Sequence, residues 1–390
     1  MGCARAHPTT ARGSALSSIF DPLSATMLAD PHAIYARLRA EDPVHRHDPL
    51  DAWVLTRHDD CTRVLKDTDA FGSDPAALGK PVPESVRNLH VLDPPESTPV
   101  RHLFLGLLRS REALVGESVR RLADDLVKDL RGVVDFVRDV AEPLALQAVA
   151  DLYGIGFPAE HERYRETSRT MVLGMDSGLD PTRLPPALAA RDTLNTLIEG
   201  WREGAKAGGV LDAVRPGDDR VLVNSLRAVF DAGYSTTADM MANALHRLTS
   251  RRSWTGAELS SLDGRAVDEL IRLVGPVQAV SRHCKSDVDL RGRRVRRGDV
   301  VVVVLAAANR DPLVFPSPDE ADFARPANPH LGLGRGVHAC FGAPLGREVL
   351  LTAFRALAAV GRVEAAGEPV RRPTATQRGL DHLPLRISSD

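Results

Sequence analysis

"HLGLGRGVHACFG", residues 330–342, decides how the rest of this chain is read. Three glycines, an arginine and a histidine lead up to Cys340, and Gly342 follows it. So permissive a loop before one of only four cysteines in 390 residues asks for a physical reason. A thiolate that ligates a metal needs hydrogen-bond donors around its sulfur and a backbone able to turn beneath it. Glycine allows both the close approach and a positive φ. The following stretch, "FGAPLGREVLLTAFRAL" (341–357), has helical periodicity, so Cys340 sits just ahead of a helix N-terminus. Free backbone N–H groups there favour negative charge and lower a thiol pKa, and Arg335 and His338 add donors or positive charge. By composition alone a metal thiolate, a reactive nucleophile and a buried structural cysteine all fit, the last being the commonest fate of a lone Cys.

The four cysteines, Cys3, Cys61, Cys284 and Cys340, form no CxxC pair, which argues against a zinc knuckle or a thioredoxin-type motif. Such sparse spacing suits a reducing cytosol. The chain is 43% hydrophobic and 26% charged, ordinary for a globular protein with a large core. Lysine plus arginine number 50 against 52 acids, and the net charge of −2 gives no global drive toward nucleic acid or an anionic membrane. The N-terminus, "MGCARAHPTTARGS", has no apolar h-region, and Ala6 breaks the myristoylation pattern. No run approaches the roughly 20 apolar residues that cross a bilayer. The expectation is a soluble cytoplasmic protein with a disordered tail over residues 1–15 and a single domain over 16–390.

Along the chain, "DPHAIYARLRAED" (30–42) reads as a short helix and "AWVLTR" (52–57) as a strand. From about 98 to 250 the pattern is almost entirely helical, with Val119, Leu122, Leu126 and Leu130 on one helix face. Gly and Pro break it in "VLGMDSGLDPTRLPPAL" (172–188), which reads as a loop. Residues 217–248 form one long helical pattern. "DLRGRRVRRGDVVVVVLAA" (289–307) has a strand–turn–strand composition, its valine run a buried strand. The centre of the long helix is anomalous: "AGYSTT" (232–237) sets Gly, Ser and two Thr where helix propensity is poor. Close helix packing explains that on its own terms; so does a molecule that must approach the backbone beside a hydroxyl.

The segment "HLGLGRGVHACFGAPLGR" (330–347) resembles the haem-binding loop of bacterial cytochromes P450, F-G-x-G-x-H-x-C-x-G, with Gly334, Gly336, His338, Cys340 and Gly342 in register. "DELIR" (268–272) resembles the family's E-x-x-R, "ANRDP" (308–312) and "FARP" (323–326) follow in the usual order, "LDPPESTPVR" (92–101) resembles the opening of the C helix, and "AGYSTT" the oxygen-binding stretch of the I helix. The resemblance runs from about residue 20 to the end. It implies a mostly α fold with small β-sheets, the cytochrome P450 fold, with haem b between the long I helix and the Cys-loop and L helix. It makes Cys340 the axial thiolate on iron and Arg101, Arg282 and His338 the holders of the haem propionates. Leu333, Gly334 and Gly342 shape the loop around the cofactor. Glu269, Arg272 and Arg325 form a structural clasp. Ala232 and Gly233 leave room for dioxygen, and Thr236 presents its hydroxyl to it.

The sequence departs from the family at three places. Leu333 replaces the phenylalanine that opens the cysteine loop, and Ser97 replaces a histidine that often accompanies the C-helix arginine. Ser235 stands where an acid usually precedes the I-helix threonine; a serine orients water but is a poor proton reservoir. Asp231 and Asp239 lie one turn to either side, where surface or capping roles compete with a compensating one. The expected function is therefore a haem-thiolate monooxygenase in secondary metabolism, oxidising a small organic molecule with electrons from a ferredoxin and ferredoxin reductase. Oxidative coupling, desaturation, an impaired P450-like binding scaffold and a haem-free cysteine hydrolase are the rival readings. Arg109, Arg111, Arg335 and Arg347 are candidates for a ferredoxin-docking patch. "RGRRVRR" (291–297) reads as a charged surface hairpin rather than a nucleic-acid site. Residues 74–92, 172–188, 276–280 and 377–381 are the expected substrate-contacting segments. Their Arg87, His90, Gln278, Arg378 and Asp381 suggest a ligand with polar as well as apolar parts.

Overall fold

A computed structural model describes residues 20–215 and 217–389; the tail expected over residues 1–15 lies outside them. The longer helices are α1 (His32–Glu41), α2 (His58–Lys66), α3 (Ser97–Val127), α4 (Glu142–Tyr153), α5 (His161–Gly174), α6 (Leu184–Arg202), α7 (Arg220–Thr249), α8 (Gly264–Val274) and α9 (Ala343–Val360). They enclose a core that includes Phe104, Val149, Phe230, Leu245, Leu270 and Phe354, so α3, α4, α7, α8 and α9 share one interior. At 30 residues and 1.5 Å per residue, α7 spans about 45 Å through that interior. Asp219 caps its first turn by accepting from Val221 N.

The β pieces are small. β1 (Val44–His47), β2 (Ala52–Leu55), β3 (Phe71–Gly72), β5 (Ala279–Cys284) and β8 (Val300–Val304) make a sheet in the order β1-β2-β8-β5-β3. The valine run is its central strand, parallel to β2 with Trp53 opposite Val301. β6 (Val288–Leu290) and β7 (Arg293–Val295) form a separate hairpin. Its turn residues Arg291 and Gly292 have φ of 52° and 77°, the sign pattern of a two-residue hairpin turn. The expected single strand–turn–strand thus divides between two sheets. A third sheet has β12 (Pro384–Ser388) in the middle, between β4 (Gly132–Asp135) and β9 (Arg362–Ala365). β10 (Val370–Arg371) and β11 (Leu380–His382) form a second hairpin.

Two expectations change. The stretch 172–188 is not one loop: α5 runs to Gly174 and α6 starts at Leu184, with Pro185 in its first turn, where a missing N–H costs nothing. On α3 the buried stripe is Val115, Val119, Ala123 and Val127, while Leu122 and Leu126 flank it half-buried and Leu130 lies beyond the helix end. Small residues lie innermost because α4 packs closely there; each buried Val still contributes about 1.5–3 kcal/mol of transfer free energy. Three of the five arginines in the basic run 291–297 are paired where they stand. Arg291 pairs with Asp59 and Asp60, Arg293 with Asp42, and Arg294 with Asp287. No helix among the described residues is long and apolar enough to cross a membrane.

Candidate active site

The cysteine loop is folded on itself and against two helices. Cys340 N donates to Leu333 O at 2.8 Å, Gly334 N to Leu331 O at 2.8 Å and Ala339 N to Gly336 O at 3.1 Å. Gly334 and Gly336 have φ of 69° and 71°, a region that costs other residues about 1 kcal/mol or more. A Cβ on Gly336 would meet the Leu65 carbonyl oxygen of α2 at 2.3 Å, and one on Gly332 would meet Ile271 of α8 at 2.8 Å. Close approach here serves the seating of the loop. Cys61 and Cys284 are buried and Cys340 is exposed. The expected low thiol pKa is not found: burial pushes the Cys340 thiol up, outweighing the backbone N–H groups of Gly342 and Ala343 and the charges of Arg101 and Arg347. The sulfur is therefore reachable yet largely surrounded by protein.

A cationic group gathers beside it. Arg101, near the start of α3, donates through Nη2 to Ala339 O at 2.6 Å, and its guanidinium lies 5.7 Å from the Phe341 ring centre. Arg282 on β5 is only 8% exposed, and its one protein hydrogen bond among the described residues runs from Nη1 to Ser281 O at 2.8 Å. Burial pulls its pKa down and Asp93 opposes that. His338 Nε2 lies 2.7 Å from Asp93 Oδ1. Asp93 also accepts from the backbone N–H groups of Ser73 and Asp74. Burial works to raise its carboxyl, but these donors, with His338 first, hold it at about 2. His90 stands close by, its side chain open to solvent in this structure.

On α7, Thr236 Oγ1 donates to Ala232 O at 2.7 Å, one turn back. A Cβ on Gly233 would stand 3.0 Å from Val149 Cγ2, so this glycine faces α4 and serves helix packing rather than leaving room for dioxygen. Ser235 points another way. It is 6% exposed and lines a cavity of about 410 Å³ with Glu142, Ser168, Tyr234 and Asp239. The two flanking acids are neither surface nor capping groups. Asp239 is 3% exposed and accepts from Arg372 Nη1 at 3.0 Å and Gln377 Nε2 at 2.8 Å. Asp231 accepts from Tyr164 OH at 3.3 Å, and burial pushes its carboxyl to about 6.

Glu269, Arg272 and Arg325 meet in the interior. Arg272 Nε and Nη2 grip the two Glu269 oxygens at 2.8 and 2.7 Å, and Arg325 does so at 3.1 and 3.2 Å. Asn328 and the Asp322 backbone N–H complete the set. Remaining Arg272 donors reach the carbonyls of Asn309, Pro318 and Glu320, so the clasp ties α8 to the irregular chain that leads into the cysteine loop. The expected substrate-facing polar residues are mostly committed elsewhere. Arg87 pairs with Glu96, Gln278 donates to Gly275 O, Arg378 reaches the carbonyls of Met27, Leu28 and Ala29, and Asp381 pairs with Arg169 and Arg372. Their polarity carries no information about a ligand.

Comparison with known proteins gives the arrangement its family. The family profile described as cytochrome P450 matches residues 262–357. The cytochrome P450 monooxygenase PikC of Streptomyces venezuelae is 33% identical over 92% of this chain and 91% of its own length. This chain belongs to the cytochrome P450 family. The 6-deoxyerythronolide B hydroxylase of Saccharopolyspora erythraea is 30% identical to this P450, over 95% of the chain and 100% of that protein. Among solved structures, CYP109E1 from Bacillus megaterium in complex with testosterone superposes with a TM-score of 0.81 at 23% identity, covering 93% of this chain and 99% of that one. The fold is the P450 fold, mostly α with small sheets, and the activity is that of an oxidoreductase, a monooxygenase. With the family comes haem b held through an axial cysteine thiolate. The residues of this P450 fit it: the chain offers a reachable sulfur under helix N–H groups and a buried guanidinium, Arg282, with only one of its five donors engaged among the described residues. A dianionic cofactor edge needs such donors. Asp93 and Glu142 escaped the sequence reading, and His90 was named there only among the substrate-facing residues. Only the aspartate in "LDPPESTPVR" stood there as a signal.

Proposed function

We propose that this P450 uses dioxygen and ferredoxin-delivered electrons to oxidise a small organic molecule of secondary metabolism, with Cys340 as its haem ligand and residues 16–390 as one P450 domain. The observation that carries it is the exposed Cys340 sulfur just ahead of α9, with the Arg101 and Arg347 charges acting on it. When bound, the haem supplies the oxygen-activating redox chemistry. The chain does the rest. Arg101, Arg282 and His338 hold the haem carboxylates, with Asp93 orienting the His338 ring. Leu333, Gly334 and Gly342 shape the loop under the sulfur, and Ala232 and Thr236 border the oxygen side, where the Thr236 hydroxyl donates to Ala232 O until it is needed. Glu269, Arg272 and Arg325 hold the loop's approach rigid.

The relatives' names include a 6-deoxyerythronolide B hydroxylase and a 20-oxo-5-O-mycaminosyltylactone 23-monooxygenase, so large lactones are the first compounds to screen. For the ferredoxin and its reductase, the docking patch narrows to exposed Arg109 and half-buried Arg335, because Arg111 donates to Asp151 O and Arg347 to Asp268. The serine at 235 also keeps oxidative coupling or desaturation in view. The deciding experiment is the carbon monoxide difference spectrum of the reduced protein, followed by a screen for substrate-induced spin-state shifts. A Soret band outside the thiolate position would overturn the assignment.

A further inference from the structure

The acid missing beside Thr236 leaves a question that the cavity behind α7 answers. The cavity, about 410 Å³, runs between the N-terminal end of α4, α5, α7 and the β10–β11 hairpin, and Ser235 is one of its walls. Asp231, Ser235 and Asp239 recur every fourth residue, so they share one face of α7. The two acids on that face are engaged: Asp239 by Arg372 and Gln377, Asp231 by Tyr164. Asp381, on the opposite wall, is engaged by Arg169 and Arg372.

Glu142 differs from all of them. Its side chain is 17% exposed, and its nearest cation is Arg165 at 3.9 Å, beyond hydrogen-bond reach. Arg165 is already bound to Glu162. Among the described residues Glu142 accepts no hydrogen bond, so it gains or loses a proton without breaking one. The helix enters this position through a π-helical turn, Val137–Ala141, a local irregularity that often marks a functional site. The groups facing Glu142 come from each neighbouring element: Arg165 on α5, Tyr234 and Asp239 on α7, Arg372 beside β10, and Asp135 on β4. Asp135 itself holds His382 at 2.6 Å. Among these, burial dominates and takes the Glu142 carboxyl to about 7, against the pull of Arg165 and Arg372. Among the described residues the Tyr234 phenol and the Ser235 hydroxyl have no protein hydrogen bond, and both residues line the same cavity, which gives water a polar path from Glu142 to the residue next to Thr236.

We propose that this cavity is the proton entry of the enzyme and that Glu142 supplies its protons, through water and Ser235, in place of the absent helix acid. The proposal rests on the monooxygenase reading above. Glu142 acts through Ser235 and touches no reacting atom, so its role is one of supply and positioning.

The test uses the haem-loaded protein with an artificial electron donor, which needs neither the native donor nor the substrate. In wild type, oxygen consumption falls as pH rises through about 7. Glu142→Gln keeps haem content and the carbon monoxide spectrum, lowers the rate at pH 6 by roughly tenfold to a hundredfold, the low end for a positioned proton donor, and flattens the pH profile. Glu142→Asp restores part of it. Ser235→Asp in the Glu142→Gln background restores it without Glu142. Independently of turnover, infrared difference spectra show a protonated carboxyl band titrating near pH 7 that Glu142→Gln removes. Normal wild-type turnover with an indifferent Glu142→Gln, or a band that survives it, overturns the proton entry alone. Dependence on Asp231→Asn instead gives the role to the wrong acid and overturns it too. Wild type that consumes no oxygen sinks the monooxygenase reading, and this inference falls with it.

Discussion

At the scale of single residues, position and environment pull Cys340 in opposite directions. The helix N-terminus ahead of α9 favours a thiolate; burial favours the thiol, and burial wins without a partner for the charge. A bound cation reverses that balance, so the sulfur is poised to ionise only when it ligates. Cys340→Ala is expected to fold and to lose the thiolate-ligated carbonyl spectrum, since Cys61 and Cys284 are buried with backbone acceptors; a retained thiolate Soret band refutes it. Ser235 faces the cavity shared with Glu142, so Ser235→Asp should raise product relative to hydrogen peroxide and leave the substrate-induced spectral shift unchanged. A weakened shift with unaltered coupling places Ser235 in the substrate pocket instead. The glycines and the cysteine were legible because local geometry demands them. Asp93 was not, because its partner His338 lies 245 residues away.

Among elements, the cysteine loop depends on what it leans against. Gly336→Ala drives a Cβ into the Leu65 carbonyl and strains a φ of 71°. The expected result is a loss of about 1–3 kcal/mol in stability together with faster haem loss in a transfer assay to apomyoglobin; unchanged retention means the loop does not rely on α2. The clasp is a stronger case. Glu269→Ala leaves Arg272 and Arg325, 1% and 7% exposed, without their shared carboxylate, at a cost of about 3–5 kcal/mol. Insoluble or haem-free protein is expected, and a soluble haem-replete variant counts against the clasp. Helix geometry made a Glu269–Arg272 pair natural, but only the family's ordered motifs marked it as a clasp with Arg325. Periodicity did less well on α3, where small residues take the innermost stripe because tight packing selects for size. It also failed at 172–188, since Pro and Gly mark helix ends as well as loops.

For the whole molecule, two sets of carboxyls bend the stability curve in opposite senses. Burial works to raise Glu269, but Arg272, Arg325 and the Asp322 N–H hold it at about 2 against an ordinary 4.5; that stabilisation is present above about 4.5 and is lost as pH falls toward 2. Glu142 is raised from 4.5 to about 7, so the folded state holds a proton the unfolded chain has released, and stability is lost as pH rises through that window. Glu142→Gln should therefore gain on wild type between pH 5 and 7.5, by up to about 3 kcal/mol, in thermal or urea melts; parallel curves refute it. The closure of the fold has a further consequence in time. β12, the middle strand of its sheet, is made some 250 residues after β4, with which it pairs, and Arg378 ties down Met27, Leu28 and Ala29. A ribosome must thus add some 250 residues after β4 before that strand finds its partner. Until then β4 is an open edge that chaperones must shield, and nascent chains stalled before Pro384 are the ones expected to aggregate.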